Sequence, residues 1–331
     1  MIQLAPVSHE EKSVPRISLR SIFKLLPGWI ITGEYTYNRT DTHYQFYSDR
    51  FRFADVQLAA KNSTEKGQDF YRMYDTTAKY NALNVFSNYE HTWGNHAFKA
   101  MLGFNQEEYY YRYFYGNVLA QATPSVPSFE GGTGEKKIID KYSEYAIRSG
   151  FARFNYVYAD KYLFELNGRY DGSSKFPKDN RFGFFPSVSA GWRLGQEKFM
   201  SASKSWLDDL KLRVSYGTVG NQRIDPYQFT PTMSVNSAGT YILDAGGKTT
   251  YITSPGLVSS SFTWEKVTTF NVGCDLYAFN NQLNATFDWY NRKTTGMLAA
   301  GIEIPKVVGT TAPLQNVADM KNQGWELSVA W

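Results

Sequence analysis

Between residues 161 and 217 the sequence alternates residue by residue three times over, and a period of two is the signature of extended strands. From 161 to 170 one face takes Tyr162, Phe164, Leu166, Gly168 and Tyr170, and the other takes Lys161, Leu163, Glu165, Asn167 and Arg169. From 187 to 194, Val188, Ala190, Trp192 and Leu194 oppose Ser187, Ser189, Gly191 and Arg193. From 210 to 217, Leu210, Leu212, Val214 and Tyr216 oppose Lys211, Arg213, Ser215 and Gly217. One face is apolar and rich in rings, the other charged or small. A soluble sandwich would bury the apolar face between two sheets. A membrane barrel would turn it to lipid around a wet interior. Alternation alone leaves both open, so strand number and connection length have to decide.

The pattern recurs along the chain. Strands are expected at 16–24, 29–38, 79–93, 96–113 and 145–158, then at the three stretches above, then at 264–278, 283–291 and 322–331. The odd connections fall near 25–28, 93–96, 159–160, 195–208 and 279–282, the last a two-residue Asn280-Asn281 turn, and most of them are tight. The even ones span 39–77, 114–144, 171–183, 218–263 and 292–321 and read as long loops. Successive antiparallel strands end on opposite sides, so the short turns gather at one end and the long loops at the other. Outer-membrane barrels have this asymmetry; a sandwich has no reason for it. The expected class is all-β, an antiparallel transmembrane barrel, with Tyr162, Phe164, Val188, Trp192, Leu212 and Val214 toward lipid and the charges inside.

Composition agrees. A chain of 331 residues can hold one large β domain or two ordinary ones. It carries 25 Tyr, 23 Phe and 8 Trp at a mean hydropathy of −0.45, so rings sit among many polar residues, as aromatic girdles require. The net charge of +4 comes from well-mixed signs with no basic run, which excludes a nucleic-acid footprint. Cys274 stands alone and cannot build a disulfide, zinc or iron–sulfur site. No run approaches the roughly 18 apolar residues of a membrane helix, so any crossing would use strands. The first twenty residues, MIQLAPVSHEEKSVPRISLR, lack the layout of a secretory signal, which for an exported chain implies a truncated start.

The run KYLFELNGRYDGSSKFPKDNRFGFFPSVSAGWRL, then WLDDLKLRVSYGTVGNQ and the closing NQGWELSVAW, resembles the SusC/RagA family of TonB-dependent outer-membrane transporters, most specifically over 151–222 and 264–331. The resemblance implies a barrel of about 22 strands closed by an N-terminal plug. It also implies energy from the TonB complex, and a SusD-like surface lipoprotein that lids the barrel and delivers glycans or peptides. On this expectation residues 1–331 are a piece of the barrel domain, about eleven strands, in the outer membrane of a Gram-negative bacterium, with the plug and the remaining C-terminal strands absent. Two open sheet edges would leave backbone groups unpaired in hydrocarbon, so the piece alone is expected neither to insert nor to transport.

No motif points to an enzyme. His91 and His96 flank a turn beside Trp93 without a third ligand at metal-site spacing, and GGTGEKK at 131–137 lacks the spacing of a phosphate loop. Gly172-Ser173-Ser174 is no nucleophile elbow. Asp171, Asp179 and Asp225 could offer oxygens to a loop calcium ion but lack EF-hand spacing; no other cofactor is expected. The candidates are surfaces. Tyr109, Tyr110, Tyr111, Tyr113 and Phe114 end a strand at the loop side, where rings either stack on sugars or form a girdle. Lys161, Glu165, Asn167, Arg169, Arg193, Lys211, Arg213, Asp275, Asp288 and Glu326 are expected to line the barrel interior, toward the plug or the solute path. Loops carry no readable code, so glycan and peptide stay unseparated. Two alternatives remain: a soluble or surface glycan-binding sandwich, which would not depend on detergent, and a passive porin, which would lack a plug.

Overall fold

The computed structural model describes residues 7–49, 51–53, 64–66, 69–123, 125–236, 251–259, 261–301, 304–305, 307 and 312–331. In chain order the strands are β1 (Val7–Ser13), β2 (Arg16–Leu26), β3 (Trp29–Ser48), β4 (Phe51–Phe53), β5 (Thr64–Lys66), β6 (Phe70–Trp93), β7 (His96–Leu119) and β8 (Lys136–Tyr158). Then follow β9 (Tyr162–Ser173), β10 (Phe182–Arg193), β11 (Leu207–Asn221), β12 (Val235–Asn236), β13 (Tyr251–Ile252), β14 (Glu265–Ala278), β15 (Leu283–Ala300) and β16 (Leu314–Ala330). Twelve of them form one sheet in the order β1-β3-β6-β7-β8-β9-β10-β11-β14-β15-β16, with β2 also on β3. From β6 to β11 and from β14 to β16, neighbours in the sheet are neighbours in the chain, as in a meander. The remaining four pair as β4 with β5 and β12 with β13.

The residues divide into two compact units. The larger comprises Ser21–Gly33, Asn84–Gln106 and Ala146–Trp331. Here the register carries the two faces read from the sequence across six strands. Phe164, Ala190, Val214, Val272, Trp289 and Trp325 lie opposite one another in a single row, and all but Ala190 are large and exposed. One residue along, Leu163, Gly191, Arg213, Gly273, Asp288 and Glu326 make the next row on the other face. Side chains alternate across a pleated strand, so each row inherits one face of the alternation. Such a stretch of exposed rings and aliphatics is far beyond what a soluble monomer leaves to water. The buried core is small and lies at the long-loop end: Phe176, Phe185, Phe262 and Trp264 pack together.

The turns at the other end are short, at 27–28, 94–95, 159–161 and 279–282, with 194–206 the one longer connection. Ala159 and Asp160 both take positive φ (51° and 57°), the left-handed geometry that matches hairpin twist. The expected two-residue turn at Asn280-Asn281 is instead four residues long. Phe279, Asn280 and Asn281 all have positive φ there, and the Gln282 amide closes the turn onto the Phe279 carbonyl at 3.2 Å.

The smaller unit comprises Met1–Arg20, Glu34–Leu83 and Glu107–Tyr145. It corrects the loop assignments. β3 continues to Ser48 and β6 begins at Phe70, inside the stretch expected as loop 39–77; residues 50, 54–63, 67 and 68 of it lie outside the described residues. β7 reaches Leu119 and β8 starts at Lys136, both inside the expected loop 114–144. In the larger unit β15 and β16 likewise extend to Ala300 and back to Leu314. These extensions mix polar and aromatic residues on both faces, so the period-2 signal that marks a strand between two unlike solvents is absent from them. β1 was not expected either. It pairs with β3 from Val7↔Tyr47 to Ser13↔Asp41, and Val14-Pro15 separates it from β2 because proline has no N–H for the ladder.

Candidate functional site

On the charged face of the larger unit, salt bridges run both across strands and along them. The Arg213 guanidinium donates from Nε to Asp275 Oδ2 at 3.0 Å and from Nη2 to Asp288 Oδ2 at 2.8 Å. Lys211 faces Asp275 in register and Glu326 faces Asp288, so both stand in the same two rows. Further along, Arg153 donates to Asn167 Oδ1 at 2.7 Å, and Asn167 Nδ2 donates to Glu165 Oε1 at 2.6 Å and to Ser187 Oγ at 3.3 Å. Arg169 grips Asp171 through Nε at 2.8 Å, reaches Ser149 Oγ at 3.1 Å, and lies over the Phe151 ring. These are charge-assisted bonds in a partly wet setting, which fix side-chain positions more than they stabilise the fold.

Two members of the expected set lie at one end of these rows, with Arg193 facing Lys211 in register. Lys161 and Arg193 belong to the short-turn end. Lys161 Nζ is 3.0 Å from Glu197 Oε2, and Arg193 holds Asp209 Oδ2 at 3.0 Å from Nη2 while Nη1 bonds Asp160. Glu197 also accepts from Tyr162 Oη at 2.7 Å and Trp192 Nε1 at 3.2 Å. Those hydrogen bonds, Tyr162 first, then Lys161 and Trp192, pull its carboxyl down from 4.5 to about 2. Sequence reasoning missed Glu197, Asp209, Arg153 and Gly273; only the glycine, a gap in an otherwise charged face, carried a readable signal.

In the smaller unit the expected aromatic run divides. Alternation along β7 puts Tyr109, Tyr111 and Tyr113 on one face and Tyr110 and Phe114 on the other. Tyr109 stacks on Tyr145 at 5.3 Å, and Tyr113 on Tyr115 at 6.4 Å. Tyr110 lies under Lys79 Nζ at 5.6 Å, and Arg112 between Tyr110 and Phe114 forks onto Asp140, with Nη2 2.8 Å from Oδ2. Tyr113 also opens a ladder that the sequence did not suggest. Tyr74 is 6.4 Å from Tyr113 and 4.5 Å from Tyr44, Tyr44 stacks with Phe46, and Phe46 meets Phe70 at 5.4 Å. Arg72 closes it, with Cζ 4.8 Å over Phe70 and 5.8 Å over Tyr115. Residues 44–46 and 70–74 lay in the stretch read as loop, which is why they were missed. Because Tyr44 and Tyr74 stack on each other, each ring has one face covered by its partner.

Of the loop aspartates, Asp171 is taken up by Arg169. Asp225 offsets part of the fall that burial imposes on the Lys175 amine, and Asp179 lies in the short 3-10 turn Lys178–Asn180. The rings of His91, Trp93 and His96 stack in sequence, and His96 Nδ1 is 2.8 Å from Tyr156 Oη.

The family model for the TonB-dependent receptor-like β-barrel matches residues 13–331. The TonB-dependent receptor SusC of Bacteroides thetaiotaomicron is 34% identical over 77% of this chain and 25% of its own length. TonB-dependent receptor P26 of Formosa agariphila is 39% identical over 57% of this chain and 18% of its own length. A solved structure of the RagAB peptide transporter superposes at a TM-score of 0.83 with 25% identity, covering 98% of this chain and 34% of that one. The chain thus spans a quarter or less of the length of these two curated relatives.

Proposed function

We propose that this chain, which belongs to the TonB-dependent receptor-like β-barrel family, supplies part of the wall of an outer-membrane importer for oligosaccharides or peptides. Family and fold give the coarse statement: a β-barrel of outer-membrane nutrient uptake, not an enzyme. The finer reading adds uptake driven by TonB, a SusD-like surface lipoprotein as lid, and lipid against the apolar face. The observation that carries it is the opposition of the two adjacent rows, one with Phe164, Val214, Val272, Trp289 and Trp325 exposed, the other with Arg213, Asp288 and Glu326. A sheet with oil on one side and fixed charge on the other suits a wall between lipid and a polar interior. The salt-bridged face is suited to hold a plug, and the Tyr74–Tyr113 ladder to meet solute at the loop end. Similarity to SusC, a TonB-dependent receptor, and to RagAB, a peptide transporter, supports import without choosing the solute.

The test is uptake of fluorescent oligosaccharides and peptides by cells with and without the gene, and with and without TonB. Uptake is expected to need both. Uptake that persists without TonB would make the protein a passive pore.

A further inference from the structure

The connection between β10 and β11 is unlike the other turns at its end of the sheet: it runs from 194 to 206 and contains the eight-residue 3-10 segment Lys198–Ser205. Both its ends are fixed on the apolar side of the wall. At the start, Glu197 Oε1 accepts from Tyr162 Oη and Trp192 Nε1, and both rings belong to the exposed apolar face, where they stack 6.4 Å apart. At the finish, Trp206 packs on Phe279 at 6.2 Å, Phe279 meets Trp331 at 5.9 Å, and the Phe279 amide donates to the Trp206 carbonyl at 2.7 Å. Between these anchors Phe199 is 65% exposed and Trp206 46%. Lys198 and Lys204 are exposed as well, and neither has an ion pair among the described residues. The nearby acids are engaged: Glu197 by Lys161, Asp209 by Arg193, and Asp208 by the Asn281 amide.

We propose that residues 198–206 form an interfacial foot that binds anionic phospholipid headgroups in the leaflet at the short-turn end. Lys198 and Lys204 take the phosphates, and Phe199 and Trp206 enter the boundary between headgroups and acyl chains. This rests on the reading that the apolar face meets lipid. Two features select a lipid surface over a protein partner. The foot continues that face without a break, through Tyr162 and Trp192 on one side and Phe279 on the other. Its composition, two unpaired lysines around two exposed rings, is also that of a segment lying in a membrane interface.

The experiment uses the protein expressed to the outer membrane and reconstituted in phosphatidylcholine vesicles with or without phosphatidylglycerol. A polarity-sensitive fluorophore is placed at Ser201→Cys on the foot, or at Val214→Cys on the apolar face, each in a Cys274→Ser background. The label at 201 is expected to move to the blue when phosphatidylglycerol is present. Each lysine near an anionic surface contributes about fivefold, so Lys198→Gln with Lys204→Gln should weaken the apparent affinity for phosphatidylglycerol roughly 25-fold. A label at 201 that reports water in both vesicles, while the one at 214 reports hydrocarbon, overturns the foot and leaves the lipid-facing reading standing. A label at 214 in water overturns that reading and the foot with it.

Discussion

Arg213 on β11 brings Nη2 within 2.8 Å of Asp288 Oδ2 on β15, although β14 runs between those strands. The residue of β14 opposite both is Gly273, and its missing side chain is what lets the guanidinium cross. A Cβ there would stand 2.7 Å from both Arg213 Cζ and Asp288 Oδ1. Gly273→Ala should therefore push the guanidinium off one carboxylate, at about 1–3 kcal/mol for an overpacked site. Arg213→Ala leaves Asp275 and Asp288 without their cation. The Arg213 side chain is 32% exposed, so water screens the loss and the cost stays near the low end of roughly 1–3 kcal/mol. Urea unfolding of the intact protein checks both, and a Gly273→Ala variant as stable as the parent would sink the bridging role.

Leu212 and Ser215 lie three residues apart on β11 and so on opposite faces. Leu212 is 41% exposed, in the apolar row with Trp192, Cys274 and Phe287. Leu212→Arg should cost about 2–4 kcal/mol if the residue sits near the bilayer midplane, whereas Ser215→Arg on the polar face should be much milder. The two costs are compared by folding titration into lipid. Equal penalties would mean that the faces are assigned the wrong way round.

At the short-turn end Glu197 gives a pH signature. Its folded pKa of about 2 lies below the ordinary 4.5, so its contribution to stability is complete above the ordinary value and is lost as the pH falls toward 2. Glu197→Gln should flatten that part of the stability curve while leaving the neutral fold intact. Acid unfolding profiles of the two proteins decide it, and identical slopes in the acid limb would remove Glu197 from the anchor.

The legible parts of this chain are those that separate two unlike media. Leu210 through Gly217 alternate cleanly because one neighbour is apolar and the next polar in every row they join. Tyr44, Phe46, Phe70 and Tyr74 gave no such signal, since 39–48 and 70–77 mix polar and aromatic residues on both faces and no period of two appears there. Glu197 was hidden for another reason: its partners Tyr162 and Trp192 come from two different strands, and only the register between those strands brings them to one carboxylate. The aromatic run at 109–114 could be found as a run, but its division between faces needed the strand to continue through it to Leu119.

The cluster at the long-loop end ties segments that are remote in sequence, and it should fail locally. Phe176 and Phe262 are almost fully buried, at 0% and 1% exposure, and meet edge to face at 6.0 Å. Trp264 packs on Phe176 and Phe185 and donates Nε1 to the Arg181 carbonyl at 2.8 Å, while Thr263 Oγ1 donates to the Asn180 carbonyl at 2.9 Å. The connection between β9 and β10 is thereby fastened to the segment leading into β14. Phe262→Ala empties the centre of this cluster at about 3–5 kcal/mol. The β9–β11 ladder does not depend on it, so the loss should appear as local opening rather than global unfolding. Limited proteolysis of intact cells reads this directly. Cleavage within 174–181 should accelerate in Phe262→Ala while the folded barrel stays resistant, and an unchanged cleavage rate would show that the cluster does not hold the loop.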